Sequence, residues 1–201
     1  MTPELLTIVE HASPHYAPRT WHNAATGDLT IAFAVDFTTA GERLTRKAST
    51  PNYVGIPLEM DIPAAAQAIL RELASRSGCC LNIAGNGIRT LSRHGWEQSR
   101  ANAYVYRVLD LVHRGLRLER IVSGGQTGID MAGGVAGVAL GIPTELTLPK
   151  GLIQRYADGV DRCFTEAQIR QQVIDGVAGL VKPEVSSARE RYAKQAQDFL
   201  S

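Results

Sequence analysis

The sequence predicts an α/β fold: a parallel sheet flanked by helices, with a β-rich extension on its N-terminal side. After Cys80 the order strand, glycine turn, helix occurs twice in succession and a further strand follows, a recurrence that marks parallel βαβ units. The two turns, Gly85-Asn86-Gly87 and Gly124-Gly125-Gln126-Thr127-Gly128, each follow a short apolar run. Ahead of them, Leu29, Ile31, Phe33, Val35 and Phe37 alternate with Thr30, Ala32, Ala34 and Asp36, the period-two pattern of a strand.

Taken in order, Thr2-Pro3-Glu4 has the form of a helix start, and Pro14 and Pro18 limit it to a short helix or arm. The strand from Leu29 runs to a turn at Thr38 to Gly41; Glu42 to Ala48 then reads as a returning hairpin strand and Tyr53 to Leu58 as a third. Asp61 caps a helix with Pro63 in its first turn, and Ile62, Ala66, Ile69, Leu70 and Leu73 form its apolar face. Cys80 to Ala84 is a strand, Trp96 to Gly115 a helix, Ile121 to Ser123 a strand and the stretch after Thr127 a helix. Gly133, Gly134 and Gly137 weaken that last helix by about 1 kcal/mol each against alanine, a cost that close packing on the sheet would offset. Thr144 to Leu148 is the next strand; Thr165 and Gln168 form a capping box for a helix reaching Leu180, and residues 184–200 pattern as an amphipathic helix. The organisation expected is an N-terminal extension over 1–79, a ligand-binding domain over 80–182 and a C-terminal helix over 183–201.

With 44% hydrophobic and 20% charged residues in 201, the chain can bury a sizeable core. A net charge of +1 gives no global field toward nucleic acid or membrane, so any anion site is local. No apolar run approaches the roughly 20 residues of a membrane helix, and the first residues lack a signal-peptide layout, so a cytoplasmic protein is expected. Cys79, Cys80 and Cys163 lack metal-ligand spacing and read as buried thiols; the histidines have no metal spacing either, and no metal is expected.

The glycine turns carry the chemistry. Gly124, Gly125 and Gly128 let a ligand approach the backbone, and the N-terminus of the helix that follows favours an anion. Ser123 opens that turn, Gln126 adds an amide and Thr127 a hydroxyl; Gly85 and Gly87 open the other turn, with Asn86 between them and Arg89 just beyond. A guanidinium at Arg89 can hold phosphate in two-point contact, and Lys150 can reach the same carboxyl edge of the sheet. Arg155 and Asp158 lie in the loop beyond. Neither turn is a P-loop, because no lysine follows Gly128 before Lys150, and Thr90 stands where a dinucleotide fingerprint needs its third glycine. In the segment 38–47, strand alternation would place Arg43, Thr45 and Lys47 on one face as a second anion-binding edge.

The string Ser123-Gly124-Gly125-Gln126-Thr127-Gly128-Ile129-Asp130, followed by Leu140-Gly141-Ile142-Pro143 and Pro149-Lys150-Gly151, resembles the molybdenum-cofactor carrier proteins within the SLOG group of Rossmann-like nucleotide-binding domains. The resemblance covers roughly residues 80–182. It implies a Rossmann-like domain whose glycine turns face a nucleotide, a nucleotide sugar or a molybdopterin-type ligand, and a tendency to form homo-oligomers. A sister branch, the lysine decarboxylase-like phosphoribohydrolases, carries a Pro-Gly-Gly-x-Gly-Thr-x-x-Glu motif; here Ser123 replaces the proline and Met131 stands at the glutamate position, with Asp130 one residue away.

The expectation is a carrier or sensor that binds a phosphorylated small molecule, with Asp130 contacting a sugar hydroxyl. Two alternatives stay open. In a nucleotide hydrolase Asp130 would orient the attacking water; in a protein-interaction module the C-terminal helix and N-terminal hairpin would act beside a degenerate pocket.

Overall fold

The computed structural model describes residues 5–76 and 78–180. Six parallel strands form one sheet: β1 (Leu6–Glu10), β2 (Leu29–Ala34), β3 (Tyr53–Pro57), β4 (Cys80–Gly85), β5 (Arg120–Ser123) and β6 (Thr144–Leu148), in the spatial order β1-β6-β5-β4-β2-β3. Helices α1 (Tyr16–Thr26), α2 (Ala40–Ser49), α3 (Ile62–Leu73), α4 (Ile88–Arg93), α5 (Gln98–Gly115) and α6 (Ile129–Ala139) follow strands in turn, and residues 166–180 form α7. The fold is therefore a Rossmann-like α/β sheet covered on both sides. All six residues of β2 are buried, as expected for a strand with a helix layer on each face.

From β2 the chain steps outward to β3, whereas from β4 it steps the other way to β5 and β6. The gap between β2 and β4 is thus a switch point, the place where open parallel sheets bind ligands beyond the carboxyl ends of their strands. One side chain bolts it together. Asn86, just after β4, accepts from the Val35 and Asp36 amides at 2.9 and 3.0 Å and donates to the Asp36 carbonyl at 3.0 Å.

The two faces of the sheet differ in chemistry. On one, Ile31, Phe33, Leu81, Ile83 and Ile121 pack with Ala65 and Ile69 of α3, Val105 and Leu109 of α5, and Ala132 and Ala136 of α6. The glycines of α6 allow this approach: a Cβ at Gly133 would lie 2.7 Å from Ile83 and one at Gly137 2.2 Å from Thr144. A second apolar cluster joins Leu6, Met131, Val135 and Leu146 to Ile169 and Val173 of α7. The opposite face, under α1 and α2, is polar: Arg19, Asn23, Thr30, Glu42, Thr45, Ser49 and Asn82 are all buried.

Several N-terminal expectations are corrected. Residues 42–48 form no hairpin strand but most of α2, with Thr39 accepting from the Glu42 amide at 3.2 Å, and Arg46 and Lys47 in the last turn where the helix dipole favours cations. The β-rich segment before Cys80 is no separate hairpin: β2 and β3 are neighbours in the main sheet, parallel and joined through α2. Residues 6–10 are strand β1 rather than helix, and Pro18 does not block α1, because it occupies the third helical position, where no intrahelical donor is required. The segment 96–115 divides, with Trp96 in the core ahead of α5 and Gly95, at φ 72°, ending the α4 turn. Cys79 and Cys80 are half-buried and Cys163 is exposed, so none is a core thiol. Asp61 caps α3 through the Ala64 amide at 2.9 Å, and Thr165 and Gln168 form the reciprocal capping box. The helix expected over 184–200 and the start at Thr2 lie outside the described residues.

Candidate functional site

The two glycine turns meet. Gly87 and Gly128 pair as an antiparallel bridge, flanked by Ile88 N–H to the Thr127 carbonyl at 3.0 Å and Ile129 N–H to the Asn86 carbonyl at 3.1 Å. Gly128 makes this possible. Its φ is 103°, and a Cβ there would sit 2.5 Å from the Asn86 oxygen, a conformation and clearance only glycine tolerates.

Beside this junction, between α1, α2 and the carboxyl ends of β4 and β5, lies a cavity of about 330 Å³. Of the residues singled out from sequence, Gly85, Gly87, Arg89, Gly124, Gln126 and Asp130 line it. Asn86 and Ser123 do not; both are buried fasteners. Ser123 donates its single hydroxyl proton between the Ile83 carbonyl at 2.6 Å and the Asp130 carbonyl at 2.9 Å. Gly125 faces inward, where a Cβ would meet Leu148 at 2.6 Å, and its carbonyl accepts from Gln154 at 2.7 Å. Thr127 donates its hydroxyl to the Arg155 carbonyl, and Gly128 donates its amide to Gln98 Oε1 at 2.7 Å. Lys150 is exposed, outside the lining, with its backbone amide bonded to Ser13. The second anion-binding edge expected of Arg43, Thr45 and Lys47 does not form, because a helix distributes these residues around its circumference.

At the α6 N-terminus the Thr127, Gly128, Ile129 and Met131 amides are taken by protein groups. Gln126 Oε1 accepts from the Thr127 amide at 3.1 Å and from the Arg155 amide at 2.6 Å, while the Gln126 carbonyl takes the Met131 amide at 2.9 Å. With the Gly128 and Ile129 amides also partnered, anion recognition here falls mainly to side chains.

Those side chains come largely from α1. Tyr16, Arg19, Thr20 and Asn23 line the cavity at i, i+3, i+4 and i+7, one face of a helix. The Arg19 guanidinium donates to Asp130 Oδ2 at 2.7 Å, and both residues are buried. A Cβ on Gly124 would lie 1.3 Å from Arg19 Nη1 and 2.1 Å from Asp130 Oδ2, so the missing side chain at 124 is the space the ion pair occupies. Burial pushes the Asp130 carboxyl above the ordinary carboxylate range, against the charge and hydrogen bond of Arg19 and the Gln126 and Gly85 amides, which favour the anion.

The outer wall is the short β7–β8 hairpin (Gln154–Arg155, Asp161–Arg162). Arg155 lines the cavity and makes a two-point contact with Asp161 at 2.8 Å; Asp161 also accepts from the Tyr16 hydroxyl at 2.8 Å. Burial, then this hydrogen bond, pushes the Tyr16 phenol up to about 12. Arg89, in the first turn of α4, rests against the hairpin, where a Cβ on Gly159 would lie 3.2 Å from its guanidinium. It has no ion-pair partner among the described residues. Arg19, Arg89 and Arg155 therefore converge on a space whose lining, among the described residues, contains one carboxylate, Asp130, already held by Arg19.

Sequence reasoning missed Tyr16, Arg19 and Asn23, and marked Asn82 only as flanking the first glycine turn. The polar stripe Tyr16-x-x-Arg19-Thr20-x-x-Asn23 was a legible signal once 16–26 is a helix, and the prolines around it hid the helix. Among the described residues no helix is long and apolar enough to cross a membrane, and no group of three or more His, Cys, Asp or Glu side chains is arranged to hold a metal. Comparison with protein-family models, with curated proteins and with solved structures returned no match.

Proposed function

We propose that this protein binds a phosphorylated small molecule (a nucleotide derivative, a nucleotide sugar or a molybdopterin-type ligand) in the cavity beside its glycine turns, acting as a carrier or sensor. The observation that carries this reading is the convergence of Arg19, Arg89 and Arg155 on one cavity of ligand size, with Arg89 lacking an acidic partner among the described residues. Guanidinium groups suit phosphate because their planar donors match two oxygens at once. The position at the carboxyl edge of a parallel sheet, beside its β2–β4 switch point, supports it too. So does the resemblance of Ser123 to Asp130, and of Pro149-Lys150-Gly151, to molybdenum-cofactor carriers.

Binding is favoured over hydrolysis by the state of Asp130. A water-orienting base needs a free carboxylate oxygen toward the cavity, and this carboxylate is buried and engaged by Arg19. Asp130 is accordingly a positioning group for Arg19. Assembly as a homo-oligomer belongs to the same proposal and rests on the resemblance alone.

The test is calorimetric titration of the protein with AMP and ADP-ribose, with Arg89→Ala alongside. Loss of one charge-assisted contact, worth ~1.5–3 kcal/mol, weakens affinity by roughly tenfold to a hundredfold. Unchanged affinity in Arg89→Ala contradicts the placement, and product appearing in the cell moves the protein to the hydrolases.

A further inference from the structure

Among the described residues, five buried side-chain atoms without a hydrogen-bond partner belong to the layer between α1–α2 and the sheet: Arg19 Nε, Asn23 Oδ1, Glu42 Oε2, Ser49 Oγ and Asn82 Oδ1. Buried polar atoms are almost always paired, so their concentration in one layer marks a place built to receive polar groups. Arg19, Asn23 and Asn82 line the cavity and are 7, 3 and 2% exposed. The Asn82 amide is already oriented: its Nδ2 donates to Thr30 Oγ1 at 3.0 Å, which leaves Oδ1 as an acceptor. Thr20 and Thr45 add hydroxyls to the same wall.

This end of the cavity thus asks for two donors and one acceptor. A phosphate dianion offers acceptors only and satisfies the arginines but neither asparagine oxygen. A hydroxyl both donates and accepts, so neighbouring hydroxyls on a sugar ring answer all three atoms. We propose that the α1 side of the cavity is a polyol subsite, where Asn23 and Asn82 accept from neighbouring hydroxyls of a phosphorylated sugar and Arg19 Nε donates to one of them. The proposal rests on the phosphate reading above and assigns to α1 and β4 the sugar contact that the sequence suggested for Asp130, whose carboxylate is engaged by Arg19.

The experiment compares two phosphate monoesters, methyl phosphate and ribose 5-phosphate, by calorimetry on the full chain and on Asn23→Ala and Asn82→Ala. The readout is the ratio of the two affinities on each protein, which cancels any loss of folded material. Ribose 5-phosphate is expected to bind about tenfold tighter than methyl phosphate, and each substitution to bring the ratio to within about twofold while methyl phosphate binding persists. Equal affinities in the unaltered protein, or a ratio that neither substitution moves, overturn the subsite and leave the phosphate reading standing. Binding of neither monoester overturns the phosphate reading, and the subsite with it.

Discussion

Arg19 and Asp130 are 111 residues apart in sequence and 2.7 Å apart in space, joined by a buried ion pair that lies directly over the backbone of Gly124. The bond ties the N-terminal helix to the start of α6, so the segment before Cys80 helps build the site rather than standing outside it. A desolvated pair of this kind is costly to break on one side only, because the survivor stays buried with its charge. Asp130→Ala should lower unfolding free energy by about 3–5 kcal/mol in urea titrations, and the double change Arg19→Met with Asp130→Leu should recover most of the loss. A loss under about 1 kcal/mol in Asp130→Ala would show that the pair is not desolvated as described.

Gly124→Ala should damage the protein through the same pair. The new methyl would overlap Arg19 Nη1, whereas a Cβ on Gly41 in α2 meets nothing within 4 Å. Thermal melts should show Gly124→Ala clearly destabilised and Gly41→Ala unchanged or up by roughly 0.5–1 kcal/mol, the gain from restricting the unfolded chain. Equal behaviour of the two variants would refute the packing described at Gly124.

Glu42 gives the fold a pH dependence. Burial, then the nearby Asp130 and Asp36 charges, push its carboxyl from 4.5 to about 8, so the folded protein keeps a proton that the unfolded chain releases. Its contribution is therefore complete below 4.5, declines as pH rises, and is gone above about 8. Across that window Glu42 alone steepens the fall in stability by up to ~1.4 kcal/mol per pH unit. Glu42→Gln should flatten the curve and be the more stable protein at the alkaline end; parallel curves would mean that Glu42 ionises normally in the fold.

Asn86 should matter to stability rather than to ligand. Asn86→Ala removes three hydrogen bonds that tie the end of β2 to the β4 turn, a loss of roughly 2–3 kcal/mol given that half-buried amides are left unpaired. Hydrogen exchange at the Val35 and Asp36 amides should accelerate sharply. Protection unchanged at both would contradict the bolt.

The second half of the fold was legible because each βαβ unit there combines a strand, a glycine turn and an apolar helix face, signals that agree with one another. The first half misled for a physical reason: α1 and α2 cover a polar layer, so they lack the apolar stripe that announces a helix. The capping residues Thr39 and Glu42 were visible in the sequence, but the alternation of hydroxyl and basic residues from Thr38 to Lys47 also fits a strand. At the site, the glycine turns pointed to the right edge of the sheet. Which of their groups face the cavity was not readable, since Gly125, Thr127 and Gly128 are turned to Leu148, Arg155 and Gln98 by contacts distant in sequence.

The most direct measurement is native mass spectrometry of the purified protein, alone and after incubation with AMP, ADP-ribose and a pterin phosphate, beside Arg89→Ala. The account predicts a phosphorylated species retained intact on the unaltered protein and lost, or much reduced, on the variant. A spectrum with no phosphorylated species bound, or with equal occupancy of both proteins, would contradict it.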